Sequence, residues 1–459
     1  MKVNSFIQKI AIFFFLLFIT ENLFPQNVSK KQDVAIFPLS FYGWIIPESL
    51  YTGIDSEIMR NFFTLERFNV IAMGYRFSHT DLESFNDAVL RARETESALP
   101  EEVLMGHEAF TKADWEKTVN AYYIVVPIVQ TYSFEKIQTE EKNENKEKDK
   151  NGVSGSGKKE EQTDFTYKVK CAVEFHIYSM QKKMKISYFV INGSSESGTL
   201  QGAVDIAVTV FGIKLERALR GVEDFIIKTG VIKTEKENVY FELGNELGVK
   251  KGDEYAVIGY DENNTELETG LVVVTGTEEN ASTALTLYAN QHITVGDQLK
   301  EVPRFPFDIR VFFTGEFTLK IKDAAIFQFG IHVSQTRGFY RLRPCYAVEV
   351  GFSADKSING DIPFSVLIGM EIWNTYFGRI QILPTIQFFY AAFSSDSKGK
   401  KPQWESAETG LKTFVHTSWL VSRDIKIGFD AGCKAGFDFY RGNKIVFRPL
   451  LGAGITIKF

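Results

Sequence analysis

From 303 to 459 the chain alternates apolar and polar residues, and a two-residue period demands extended strands lying between two different environments. In the final stretch Ile445, Phe447, Pro449, Leu451, Ala453, Ile455, Ile457 and Phe459 share one parity. Val446, Arg448, Leu450, Gly452, Gly454, Thr456 and Lys458 share the other. The stretch before it alternates more cleanly: Ile425, Ile427, Phe429, Ala431, Cys433, Ala435 and Phe437 oppose Lys426, Gly428, Asp430, Gly432, Lys434, Gly436 and Asp438. At the start, within 305–321, Ile309, Val311, Phe313, Phe317 and Leu319 oppose Asp308, Arg310, Thr314, Glu316 and Lys320. Five further candidates, 325–335, 346–354, 362–377, 380–393 and 409–421, bring the count to eight strands.

Eight alternating strands predict a transmembrane antiparallel barrel with its apolar parity in lipid and its polar parity in the lumen. A soluble sandwich would turn the apolar parity inward and leave the charges in water. If the chain enters from the periplasm, the inner connections 376–379 and 422–424 are short, and the outer ones 355–361 and 394–408 are long. Two connections fit less well: the outer turn at 322–323 is tight, and the inner one at 336–344 is long. Trp373, Tyr376, Trp419 and Phe459 fall at inner strand ends, and Phe388, Tyr390, Phe439 and Tyr440 at outer ends, the depth that amphipathic rings prefer. An eight-stranded lumen is filled by side chains rather than open. Arg310, Glu316, Glu349, Glu371, Lys412, Lys434 and Arg448 are therefore expected to pair there as a plug.

The other end of the chain reads as an export signal, residues 1–26. Lys2 and Lys9 precede the apolar run 10–19, which is too short to span a bilayer. No other segment reads as a transmembrane helix. Cys171, Cys345 and Cys433 are far apart and suggest neither a disulfide framework nor a metal site. A net charge of −6 gives no nucleic-acid footprint.

Residues 33–232 read as a periplasmic α/β domain. Strands are expected at 34–39, 68–73, 122–132, 168–178 and 184–191, the last two joined by a turn at Gln181-Lys182. Ile54, Ile58, Phe62 and Leu65 mark one helix, and Val204, Val208, Phe211, Leu215, Leu219, Val222 and Ile226 another. A capping box at Thr80 to Glu83 begins a third. The insertion 135–164, rich in Glu, Lys, Asn, Gly and Ser, cannot bury a core and should be a disordered hairpin loop between neighbouring antiparallel strands. Within it, 152–158 imitates a phosphate-binding loop. It lacks the following Ser or Thr, having Lys159 instead, and lacks the flanking strand and helix. Residues 233–302 switch to short strands and glycine turns, with Gly244, Gly248, Gly252 and Gly296 expected to supply positive φ and Asp253 and Asp297 to accept from nearby amides. They predict a small SH3-like β-barrel, so the whole is an α+β multidomain chain.

Three resemblances attach to these stretches. Gly454, Ile457 and Phe459 resemble the C-terminal signal read by the outer-membrane barrel assembly machinery, although Gly452 stands where that signal usually has a polar residue. The strands at 34–39 and 123–127 and the segment 67–71 resemble the TolB N-terminal and CsgG family. The turns at 243–253, 269–270 and 295–297 resemble the C-terminal domain of the flagellar assembly protein FlgT. Both families imply periplasmic, non-enzymatic assembly or secretion components. The expected partners are thus outer-membrane lipid, the barrel assembly machinery and a periplasmic protein, with no cofactor. The runner-up is an oligomeric secretion or export component of the CsgG type. A third reading, a lipid-modifying barrel enzyme, would use lumen groups such as His332, Ser334 and His416. No two of the six histidines have metal-ligand spacing.

Overall fold

A computed structural model describes residues 28–41, 43–77, 85, 102–105, 108–138, 165–317, 325–353, 362–395, 403–439 and 444–459. The export signal at 1–26, the capping box at 80–83, the glycine-lysine run at 152–158, the turns 322–323 and 355–361, and Tyr440 lie outside the described residues. The chain divides into two units, Lys30–Phe225 and Ile226–Phe459, the latter taking in the residues up to Ser29.

The first unit is built on a five-stranded sheet. Its strands are β1 (Gln32–Ile36), β2 (Phe68–Ala72), β5 (Tyr123–Gln138), β6 (Phe165–Ser179) and β7 (Met184–Ser197), in the order β2-β1-β5-β6-β7. A small hairpin, β3 (Glu102–Met105) and β4 (Glu108–Thr111), pairs separately. β1 runs parallel to both neighbours, while β5, β6 and β7 run antiparallel. Alternation sends Val34 and Ile36 to one face and Ala35 and Phe37 to the other, each into its own core. Helices α1 (Glu48–Thr64) and α3 (Leu200–Arg220) cover the first face. They present Leu50, Ile54, Ile58 and Phe62, and Val204, Phe211, Leu215 and Leu219, at helical spacing. Helix α2 (Lys112–Asn120) buries Trp115 in the second core. Thr199 caps α3 by accepting from the Gly202 amide at 3.1 Å.

The insertion is shorter than its composition suggests. Glu135 to Gln138 continue β5 and pair with Lys168 to Phe165 of β6. Cross-strand partners such as Phe134 stacked on Tyr167, 6.2 Å apart, and Lys136 over the Phe165 ring at 3.9 Å extend the ladder into the polar run.

The second unit begins with a closed six-stranded barrel in the order β10-β11-β12-β9-β8-β13. It comprises β8 (Lys228–Glu235), β9 (Asn238–Glu242), β10 (Glu254–Tyr260), β11 (Glu266–Thr277), β12 (Ala281–Ala289) and β13 (Gln298–Val302). β8 starts at Lys228, so the boundary lies at 225/226 rather than at 232/233. Val231, Phe241, Tyr255, Val272, Ala284 and Leu299 fill its core. The glycine turns behave as the sequence implies except at Gly244, whose φ is −141° and where a Cβ would instead meet the Glu278 carbonyl oxygen at 2.1 Å. Gly248, Gly252 and Gly296 have φ of 74°, 85° and 97°, Asp253 accepts from the Lys250 amide at 2.9 Å, and Asp297 accepts from Thr294 at 2.8 Å.

The same unit ends in a closed antiparallel barrel of eight strands. These are β14 (Phe307–Glu316), β15 (Ile326–Gln335), β16 (Leu342–Ser353), β17 (Ile362–Ile372) continued by β18 (Thr375–Phe377), β19 (Ile380–Ser395), β20 (Gln403–Ser422), β21 (Ile425–Asp438) and β22 (Lys444–Lys458). Each strand pairs with the next, and β14 with β22 closes the cylinder, Asp308 opposite Lys458 and Glu316 opposite Leu450. Two expectations need correction. β16 starts at Leu342 rather than at 346. In addition, β19 and β20 extend through much of the expected loop 394–408, with Ser395 opposite Gln403.

The six-stranded barrel sits at the mouth where the chain enters and leaves the larger one, here the near mouth. Gly338 in the turn between β15 and β16 donates its amide to the Lys251 carbonyl at 2.8 Å. The connection expected at 336–344, which the structure shortens to 336–341, therefore has a structural use. A Cβ at Gly252 would lie 2.2 Å from the Thr336 carbonyl oxygen, where backbone cannot yield, and φ there is +85°. Gly252→Ala is predicted to destabilise the unit by roughly 2–4 kcal/mol through strain and overlap together. A guanidinium titration giving an unchanged midpoint would refute this.

Candidate functional site

The lumen and the near mouth hold the chemistry. On the outer surface Val311, Phe329, Ile331, Val350, Ile368, Phe388, Leu411, Phe429, Leu451 and Ile455 are exposed, Phe429 to 66%. The opposite parity is buried and polar. This inversion, apolar without and charged within, is the arrangement of a transmembrane β-barrel of the outer-membrane kind. All seven lumen residues named from sequence are buried.

The interior pairs in layers. Nearest the chain ends, Lys426 Nζ donates to Asp308 Oδ2 at 3.3 Å, to the Tyr376 hydroxyl at 3.2 Å and to Gln381 Oε1 at 3.1 Å. Arg343 Nε donates to Glu371 Oε2 at 2.7 Å. One layer further in, Asp430 Oδ1 takes Arg310 Nη1 at 2.8 Å and faces His416 Nδ1 at 2.7 Å. His332 Nε2 lies 3.8 Å from Glu371 Oε1. Towards the far mouth Lys412 pairs with Glu349, Lys434 with Glu316 at 3.2 Å, and Arg448 with Glu316 at 3.3 Å and Glu408 at 2.9 Å. Glycines on the lumen face leave room for these long side chains. A Cβ at Gly428 would meet the His416 ring at 2.4 Å. Around Arg310, His332 and His416 the remaining cavity is about 10 Å³, space for at most a single water.

Several members of this network escaped the sequence reading. Arg343 precedes Pro344, and a proline in a run argues against a strand interior. Glu408 falls at the end of the stretch expected as an outer loop, although it shares the parity of Lys412 and His416. Tyr376 is expected in the interface ring. It is instead buried, its hydroxyl held by Lys426, while Trp373 at 68%, Trp419 at 58% and Phe459 at 38% exposure do face outward. At the seam Gly454 lies opposite Phe312 and Ile457 opposite Ile309, and the Phe459 carbonyl accepts from the Phe305 amide at 2.7 Å.

The near mouth is closed by direct contact. Ala256, Leu271, Val273, Leu287 and Val302 of the small barrel form one apolar cluster with Tyr340, Tyr376 and Leu420 of the large one. Charges ring the cluster. Arg337 Nε donates to Asp253 Oδ1 at 2.9 Å, and Arg423 Nη1 to Glu268 Oε2 at 2.9 Å. Arg304, in the linker, donates to Glu254 Oε2 at 2.6 Å and to Asp424 Oδ1 at 2.9 Å, and Lys458 of the last strand also pairs with Glu254. Burial opposes ionisation of Glu254, but the Lys458 and Arg304 cations outweigh it and bring its pKa down from 4.5 to about 2.

No family model matches the chain, and no curated protein matches it. Among solved structures, Neisserial surface protein A is 13% identical over 34% of this chain and 97% of its own, with a TM-score of 0.25. A major outer membrane protein from Thermus thermophilus is 10% identical over 33% of this chain and 99% of its own, with a TM-score of 0.20. The hypothetical protein CT253 from Chlamydia trachomatis is 11% identical over 36% and 73%, with a TM-score of 0.18.

Two predictions follow the geometry. Lys412→Met strands a buried Glu349 and is expected to cost about 3–5 kcal/mol, whereas removing both charges together restores most of it. The temperature at which the folded band is lost on a gel measures both, and equal losses in the single and double variants would contradict the pairing. For Glu254 the folded pKa is depressed, so its stabilisation is complete above 4.5 and lost as pH falls towards 2. Thermal unfolding followed by circular dichroism across that window should decline less steeply in Glu254→Gln. Parallel curves would count against the linkage.

Proposed function

We propose that the chain is a non-enzymatic outer-membrane protein whose periplasmic modules dock an envelope or flagellar assembly to the membrane. The observation that carries this reading is the closed near mouth. A lumen filled by ion pairs and sealed by a packed second barrel suits an anchor better than a conduit. The six-stranded barrel, tied to the near mouth by the Arg337–Asp253 and Arg304–Glu254 pairs, would itself stand at a fixed height over the bilayer. Outward Ile457 on the last strand and Phe459 just beyond it support recognition by the barrel assembly machinery. An oligomeric secretion component of the CsgG type would instead be found as rings. A lipid-modifying activity through His332 and His416 has little support from a cavity of about 10 Å³ at those residues.

The test is fractionation of native membranes with heat modifiability on a gel, followed by reconstitution in planar bilayers. The protein is expected in the outer-membrane fraction, to migrate anomalously until boiled, and to conduct no steady current. A soluble protein without the gel shift would overturn the anchor. A steady current would overturn the sealed mouth.

A further inference from the structure

A groove of about 570 Å³ runs where the two barrels of the second unit meet. Lys251 lines it from the small barrel, and Tyr340, Arg341, Trp373, Asn374 and Tyr376 from the large one. No carboxylate lines it among the described residues. Both cations are exposed, and Arg341 lies over the Trp373 ring, 5.4 Å from its centre.

Trp373 is the unusual residue. It interrupts the strand between Ile372 and Thr375 with φ of 59°, a left-handed conformation that a bulky side chain adopts only at a cost. The bend is tied down on both sides. The Asn374 amide donates to the Arg341 carbonyl at 3.4 Å, its side-chain oxygen accepts from Gln381 at 2.7 Å, and Thr375 Oγ1 donates to the Trp373 carbonyl at 3.2 Å. Yet the ring so fixed is 68% exposed rather than packed, so core burial does not repay the strain. Trp373 belongs with Trp419 and Phe377, exposed at the same end of the barrel, the depth where aromatic side chains meet lipid headgroups.

We propose that this groove binds the phosphate headgroup of a phospholipid from the leaflet at the near mouth. Lys251 and Arg341 would take the phosphate oxygens, Arg341 with its planar fork, while Trp373 lies along the glycerol and upper acyl chain. The proposal rests on the membrane reading above, and its failure is separable from failure of that reading. A phosphate diester suits this groove because two cations and no described carboxylate line it, and since the cations come from different barrels the bound headgroup would bridge the modules at the membrane surface.

The test uses the full chain, purified in detergent, with phosphatidylglycerol titrated and bound lipid counted by native mass spectrometry. The heat-modifiable band of each variant reports the barrel fold independently. Wild type is expected to retain one lipid, and Lys251→Gln/Arg341→Gln to bind it about tenfold more weakly with the gel shift intact. Trp373→Gly, which relieves the backbone strain, is expected to keep the shift and also lose retention, so the inference survives testing even if the double variant misfolds. Equal retention in wild type and in folded variants overturns the site. Displacement of the lipid by millimolar inorganic phosphate, itself bound by wild type alone, overturns the lipid as its source.

Discussion

Mutual neutralisation of charges inside the large barrel is the condition on which the rest of the second unit depends. An isolated ion in so narrow an interior would cost several kcal/mol. Here each cation has a carboxylate within reach: Lys412 with Glu349, Arg310 with Asp430, Arg343 with Glu371, Arg448 with Glu316 and Glu408. Several of the pairs join strands that are not neighbours, Lys412–Glu349 linking β20 with β16 and Arg310–Asp430 linking β14 with β21, so they brace the cylinder across its width where the ladder braces its circumference. Glycines at positions such as 428 are the complement of this packing, because the space of a Cβ is given to the opposing ring.

The docking of the small barrel extends the same logic beyond the bilayer. The final layer of charge, Lys458, has its partner in Glu254, a residue of the other barrel, and Arg304 in the linker serves both. An apolar cluster alone would fix the distance between the modules but only loosely their rotation. The surrounding pairs from Arg337, Arg304 and Arg423 add direction, since hydrogen bonds to charged groups are short and oriented.

Strand parity made most of the architecture readable in advance, because one face of every barrel strand lies in an apolar medium and a single slip would reverse it. Seven lumen residues could be named for that reason. What stayed hidden depended on partners remote in sequence. Arg343 lies behind a proline that discourages a strand, Glu408 in a stretch whose polarity resembles a loop, and Tyr376 turns inward because Lys426 awaits it. The extension of β5 into the polar insertion is of the same kind, since Glu135 and Lys136 become strand only by pairing with β6. The turn at 336–341 is long for the large barrel alone, and its length is accounted for by the small barrel that receives it.

The seam between β14 and β22 bears on the order in which the molecule is assembled. Every other pairing in the large barrel joins neighbours along the chain, whereas this one brings together its first and last strands, the slow kind of contact to form. The six-stranded barrel lies wholly upstream, and its own strands span a short stretch of chain. It can be complete before β22 arrives, offering Glu254 as a waiting counter-ion for Lys458. In that order of assembly the last strand closes against a surface already built, and the small barrel doubles as the template on which the cylinder is finished.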